Sequence, residues 1–215
     1  MDELKQKAAM AALDFVDDDM IVGVGTGSTV NYFIEALKTI KHRIDACVAS
    51  SVQTEQLLKE AGIPQIDLNV AVDIPLYVDG ADEVDSHHRM IKGGGGALTR
   101  EKIVASCAKT FVCIVDETKV KKNIGTFPVA IEVIPMARSY VGRQIVHIGG
   151  DPVYRDGFTT DNGNIILDAY DMDMTDPKKL ETTINAIPGV VDNGLFTYRL
   201  ADKVIIGQSD GVTIY

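Results

Sequence analysis

The sequence predicts an α/β protein: a parallel sheet covered by helices, with a smaller α+β region inserted late in the chain. Three observations carry this. Short continuous apolar runs, such as Met20–Val24, Ile74–Val78 and Thr110–Val115, read as strands buried on both faces. Segments with helical apolar spacing alternate with them, as a parallel sheet requires. From about Phe127 the order becomes β-α-β-β-α-β, the ferredoxin-like arrangement.

At 215 residues the chain has room for one large domain or two small ones, and 46% hydrophobic residues suffice for a sizeable core. The net charge of −10 argues against general nucleic-acid binding, which needs a basic footprint. An anionic ligand would have to be held by locally placed donors against that overall field. The opening MDELKQKAAM is charged and unlike a signal peptide, and the apolar runs fall short of the ~20 residues of a membrane helix. Neither membrane nor nucleic acid is therefore expected as a partner. Cys47, Cys107 and Cys113 are odd in number and widely spaced in apolar surroundings, which suits reduced, packed thiols in a cytoplasmic protein.

In chain order, Leu4, Ala8, Ala11, Ala12 and Phe15 recur at helical spacing and predict a helix over 3–17, with Lys5 beside the stripe. A strand over 20–24 runs directly into Gly25-Thr26-Gly27-Ser28-Thr29, and Val30, Phe33, Ile34, Leu37 and Ile40 mark the helix that follows. Strand, Gly/Thr/Ser turn and helix together form an anion-binding arrangement of approachable amides, hydroxyls and a helix N-terminus. The turn is neither GxGxxG nor a Walker loop, and the next strand, Ile44–Ala49, ends in Ser50-Ser51 rather than in an acid for a ribose. It suits a single phosphate, although an ordinary capped turn has the same composition. Ser50 and Gln53 have capping-box spacing for a helix that stops at Gly62. Two short apolar runs over 65–78 lead to Asp79, and Leu98, Ile103, Val104 and Cys107 support a helix after the four glycines.

In the second half, Val129–Ile134 reads as a strand and Ser139–His147 as a helix with Val141, Ile145 and Val146 on its apolar side. Strands at 152–154 and 165–168 flank the turn-rich Thr160-Asp161-Asn162-Gly163-Asn164. A helix over 178–186 and a rough strand over 190–196 follow, and Val204–Gly207 is expected to return to the first sheet. The expected division is 1–127 with 200–215 as one domain and 128–199 as the other.

The stretch from Asp79 to Lys102 concentrates chemistry. Asp79 and Asp82 flank a Gly-Ala turn, Lys92 opens a run of four glycines, and Glu101 falls in the next helix. Turn formation alone could account for the two aspartates, and Glu101 could simply complement a helix dipole. A glycine loop with an ammonium beside it can instead wrap its amides around an oxyanion, and an ionised glutamate is ready to take a proton. The GTGST turn, Asp79/Asp82 and Lys119 all lie just past strand ends, where ligands of parallel sheets bind. Lys119 sits in a lysine-rich TKVKK patch that is also consistent with solvated surface. His87-His88 with Asp85 lacks a third and fourth ligand at useful spacing, so no metal is expected.

VGVGTGSTV, YVDGADEVD, MIKGGGGALTREK and EVIPMARS with the later TDNGN resemble type A ribose-5-phosphate isomerases, in order and over nearly the whole chain. The resemblance implies a Rossmann-like domain with a ferredoxin-like one, interconversion of ribose 5-phosphate and ribulose 5-phosphate through an enediolate, no cofactor, and a homodimer or homotetramer. It places Thr26, Gly27, Ser28 and Thr29 around the sugar phosphate, with Lys5 and Lys119 as charge partners. Asp79, Gly80, Ala81 and Asp82 would meet the sugar, the two aspartates holding hydroxyls and assisting ring opening. Lys92 with the amides of Gly93, Gly94 and Gly95 would stabilise the enediolate oxygen, and Glu101 would move the proton between C2 and C1. One departure is Gly96, where family loops often carry alanine, and which implies a looser loop. The residues alone also leave open a sugar-phosphate sensor, which would need the GTGST turn but not Glu101 with Lys92, and a hexose-phosphate hydrolase or deaminase.

Overall fold

The computed structural model describes residues 1–215. In chain order the elements are α1 (Asp2–Ala11), β1 (Ile21–Val24), α2 (Ser28–Thr39), β2 (Ala46–Ala49), α3 (Val52–Glu60), β3 (Ile74–Asp79), β4 (Glu83–Val84), β5 (Met90–Ile91), α4 (Leu98–Cys107) and β6 (Ala108–Asp116). They continue with β7 (Val129–Val133), α5 (Arg138–His147), β8 (Asp151–Tyr154), β9 (Ile165–Tyr170), α6 (Pro177–Asn185), β10 (Val190–Asn193), β11 (Leu195–Phe196), β12 (Lys203–Gln208) and β13 (Gly211–Ile214). The chain divides into two compact units, one of Met1–Ala81, Arg100–Val120 and Ala201–Tyr215, the other of Asp82–Thr99 and Lys121–Leu200.

The first unit holds a six-stranded sheet in the order β13-β12-β6-β3-β1-β2, parallel except for β13. Its parallel strands therefore run 2-1-3-4-5, a doubly wound order whose direction of winding reverses between β1 and β3. The strands are almost wholly apolar because both faces are covered. Val22, Val24, Leu76, Val78, Val112, Ile114 and Ile205 form one core with Ala8, Ala12, Val30, Phe33 and Leu37. Gly23 sits mid-strand because a Cβ there would stand 2.8 Å from the Tyr77 ring and 3.0 Å from Val104 of α4. At Gly207 the α1 backbone comes so close that a Cβ would overlap the Leu4 carbonyl oxygen.

The second unit contains an antiparallel sheet, β10-β7-β9-β8, with the βαββαβ connectivity and 4-1-3-2 strand order of a ferredoxin-like fold. Val129, Ile131, Val133, Leu167 and Ala169 pack there with Val141, Ile145 and Ile184. A second small sheet, β11-β5-β4, lies in the same unit.

Several expectations shift. The first helix gives way to a 3₁₀ turn at Ala12–Phe15. The α3 cap is Ser51, whose hydroxyl accepts from the Thr54 amide, rather than Ser50. The expected strand over 190–196 splits at Gly194, and its two halves join different sheets because residues 195–196 pair with β5. That pairing also explains why Asp82–Thr99, expected with the first domain, falls in the second unit. Val146 is exposed, leaving Val141 and Ile145 as the buried face of α5. On α4 the exposed Ile103 and Cys107 yield the inner face to Leu98, Glu101, Val104 and Ala105, so Cys107 is not a packed thiol as Cys47 and Cys113 are.

Candidate active site

In the first unit, β1 delivers the GTGST turn and β3 delivers Asp79, the two strands between which the winding reverses. A crevice forms at such a point because the connections leave in opposite directions. Asp79 is fully buried, and three donors surround its carboxylate. The Thr26 amide reaches Oδ1 at 3.0 Å, the Gly80 amide reaches Oδ1 at 2.7 Å, and the Tyr77 hydroxyl reaches Oδ2 at 2.5 Å. A Cβ at Gly25 would stand 2.0 Å from the Asp79 carboxyl carbon, so only glycine lets the turn close over the acid. Asp79 therefore fixes the turn, a role beyond the sugar contact implied by the resemblance.

Thr26 directs its hydroxyl into the fold, 3.0 Å from Ser50, 2.8 Å from Ser51 and 3.2 Å from Thr54. Thr54 in turn donates to the Gly25 carbonyl at 2.7 Å. That leaves the start of α2 as the end of the turn that could hold an anion. Gly27 is its N-cap at φ 124°, and no side chain caps the helix. The first-turn amides of a helix have no partners within it and carry positive potential. Lys5 Nζ donates to Ser28 Oγ at 3.0 Å, which brings an ammonium from α1 to the same spot. Thr29 occupies the same first turn. Lys119 ends a short 3₁₀ turn after β6, capped by Asp116, at the same carboxyl edge of the sheet; no hydrogen bond ties it to the GTGST turn.

Glu101 is buried on the inner face of α4. Burial drives the Tyr77 phenol well above its ordinary range, and the negative charges of Asp79 and Glu101 push it further up. Tyr77 is thus a donor to Asp79, with the Glu101 charge near enough to act on it as well. Tyr77 was legible in principle, since it lies two residues before Asp79 and so shares its strand face.

In the second unit, Lys92 is 2% exposed and so is not a solvated surface lysine; lysine is rarely buried without a purpose. Its ammonium lies 5.6 Å from the centre of the Phe196 ring, and its amide donates to the Gly194 carbonyl at 2.9 Å. The glycine loop beyond it is held. Asp82 Oδ2 accepts from the Gly94 amide at 2.8 Å, so that amide is already engaged while the Gly95 amide bonds nothing in the protein. Arg155, which no sequence signal marked, reaches the Gly93 and Gly94 carbonyls at 3.1 and 3.2 Å. Gly96 has φ 79°, and a Cβ there would stand 2.2 Å from the tip of Phe158. The missing methyl makes room for Phe158 rather than loosening the loop.

The TDNGN turn acts as a cage. Glu132 on β7 is fully buried and accepts from Thr160 at 2.8 Å, Asn164 at 2.8 Å, Asn162 at 3.1 Å and the Thr99 hydroxyl. Thr99 lies two residues before Glu101 on α4. Asp85 is used locally: it accepts from the His87 and Arg89 amides and pairs with Arg89 at 2.7 Å.

Residues 46–211 match the family described as ribose 5-phosphate isomerase A (phosphoriboisomerase A). The chain belongs to the ribose 5-phosphate isomerase A family. It is 64% identical over 212 residues to the ribose-5-phosphate isomerase A of Legionella pneumophila (strain Corby), covering 99% of this chain and 98% of that one. It is 58% identical over 211 residues to that of Acidithiobacillus ferrooxidans (strain ATCC 53993 / BNL-5-31), covering 98% and 96%. The crystal structure of ribose 5 phosphate isomerase A from Neisseria gonorrhoeae superposes with a TM-score of 0.97 at 44% identity, over 99% of this chain and 96% of that one. As a ribose 5-phosphate isomerase A the protein is an aldose–ketose isomerase, EC 5.3.1.6, interconverting ribose 5-phosphate and ribulose 5-phosphate in the pentose phosphate pathway. The sensor and hydrolase readings give way to that activity. No helix is long and apolar enough to cross a membrane.

Proposed function

We propose that this isomerase works by proton transfer through an enediolate, with Glu101 as the base. The supporting observation is the burial of Glu101 in a group with Tyr77 and Asp79, at the point where the sheet reverses its winding. The Glu101 carboxylate takes the proton from C2 of open-chain ribose 5-phosphate, and the C–H electron pair forms the C1–C2 double bond as the carbonyl π pair moves onto O1. The O2 proton is lost as the C2 carbonyl forms, O1 gains one, and Glu101 returns its proton to C1, giving ribulose 5-phosphate with no net change in atoms.

The remaining roles follow the chemistry of each group. The α2 amides with Gly27, Ser28, Thr29, Lys5 and Lys119 hold the phosphate and supply binding energy away from the reacting carbons. Thr26 shapes that turn through its hydroxyl network. Asp79 and Asp82, with Gly80 and Ala81 between them, serve the sugar hydroxyls and ring opening. Lys92 and the glycine-loop amides of Gly93 and Gly95 take the oxyanion, while the Gly94 amide, expected to join them, stays with Asp82. No cofactor or metal is assigned a part. We further propose a cytoplasmic homodimer or homotetramer, in keeping with three free cysteines and with the family.

Steady-state kinetics on ribose 5-phosphate test the assignment. Glu101→Gln is expected to lower kcat, and Ser28→Ala to raise KM with kcat nearly kept. A Ser28 variant that loses kcat alone would remove the phosphate role.

A further inference from the structure

We infer that Arg155 is a positioning residue for the isomerisation: it orients the glycine-loop peptides so that the Gly95 amide faces the developing oxyanion. This rests on reading the loop as the oxyanion site. Arg155 Nη1 donates to the carbonyls of both Gly93 and Gly94. In a trans peptide the carbonyl and the next N–H point in opposite directions. Holding those two carbonyls therefore directs the Gly94 and Gly95 amides to the opposite side of the loop. The Gly94 amide meets Asp82 there, and the Gly95 amide is left with no partner in the protein.

The clamp is itself fixed. Arg155 Nε reaches Asp168 Oδ2 at 2.8 Å and Nη2 reaches Oδ1 at 2.5 Å, a two-point pairing between the residue that follows β8 and the adjacent strand β9. The guanidinium also stacks over Phe158, 5.4 Å from its ring centre, and the same ring fills the space at Gly96. Four glycines in a row have many conformations to lose. A rigid arginine attached to a sheet restricts them without touching substrate. Its charge also polarises both peptides, strengthening the amides as donors. Lysine could not replace it, because one ammonium cannot meet Asp168 at two points and both carbonyls in this planar geometry.

The test uses Arg155→Lys and, to guard against a misfolded product, the milder Asp168→Asn. Each is measured for kcat and KM on ribose 5-phosphate. Each is also titrated with two probes. The first is a four-carbon phosphorylated aldonate, whose planar carboxylate imitates the enediolate oxygens. The second is ribitol 5-phosphate, which has the phosphate and hydroxyls but no oxyanion. Arg155→Lys is expected to lower kcat about 30- to 100-fold with KM within about 3-fold, the scale of a small misplacement at a reacting centre. The aldonate should weaken by a similar factor and ribitol 5-phosphate should not. Asp168→Asn should change the same quantities in the same direction, less strongly. Equal weakening of both probes marks general structural damage and overturns the inference. So does an Arg155→Lys enzyme that keeps aldonate affinity while Lys92→Met, run alongside, loses it. If Lys92→Met also keeps it, the oxyanion-site reading itself falls.

Discussion

Replacing Glu132 by methionine removes the acceptor at the centre of the TDNGN cage while keeping an unbranched side chain of similar length. Four side-chain donors converge on that carboxylate. Asn162 is exposed and can turn to water, and Asn164 is half-buried. Thr99 and Thr160 are buried residues, 8% and 5% exposed, and their hydroxyls have no such route. Stranding a buried donor costs about 1–3 kcal/mol, so the two hydroxyls together put the loss near 4 kcal/mol. In a chain of this size that lowers the thermal midpoint by roughly 8–16 °C. Glu132→Gln keeps one oxygen for Thr160 and the asparagines and should lose less than half as much. Urea denaturation followed by circular dichroism gives both values. A methionine variant within about 1 kcal/mol of wild type would mean that these hydroxyls find other partners, and the cage would carry no weight.

Other consequences are as direct. Gly96→Ala should destabilise the chain, since a left-handed residue costs about 1–2 kcal/mol and the new methyl meets Phe158; measured against Phe158→Ala alone, adding Gly96→Ala should cost less stability than it does in wild type, and an equal cost would put the fault in the backbone alone. A thiol reagent on the native protein should modify the exposed Cys107 quickly and the buried Cys47 and Cys113 only on unfolding, read as one fast equivalent per chain. Burial pushes the Cys47 thiol from 9.0 up to about 12. The unfolded chain then loses that proton first, so stability present below pH 9 declines toward pH 12, by about 1.4 kcal/mol per unit. Urea midpoints between pH 9 and 10 should fall less steeply in Cys47→Ala than in wild type, and parallel slopes would refute the burial effect.

Much of this was legible in the sequence because buried strands and helix stripes are local signals. Val22, Leu76 and Val112 could only be interior, and the residues that follow their strands had to lie at one edge of a parallel sheet. The glycines and charges from Asp79 to Glu101 were conspicuous for a similar reason: glycine in series has no use in a packed element. What escaped was anything made by residues far apart in the chain. Arg155 holds carbonyls some sixty positions earlier, and nothing in the sequence around it distinguishes it from a surface arginine. TDNGN looked like a turn and is one, yet its purpose depends on Glu132 arriving from another strand. Pairing of residues 195–196 with Met90-Ile91 is likewise nonlocal, which is why Asp82–Thr99 groups with the second compact unit rather than with the first. The α4 stripe misled because Glu101, rather than Ile103, took the inner position.

Glu101 as the proton carrier is most directly tested by following ribose 5-phosphate in D₂O by proton NMR, with EDTA present, for wild type and Glu101→Gln. Wild type should form ribulose 5-phosphate and bring solvent deuterium onto the carbons between which the proton moves. Glu101→Gln should lose both conversion and exchange by about 10²-fold or more, the scale of a missing general base. Conversion at the wild-type rate in the glutamine variant would contradict the account.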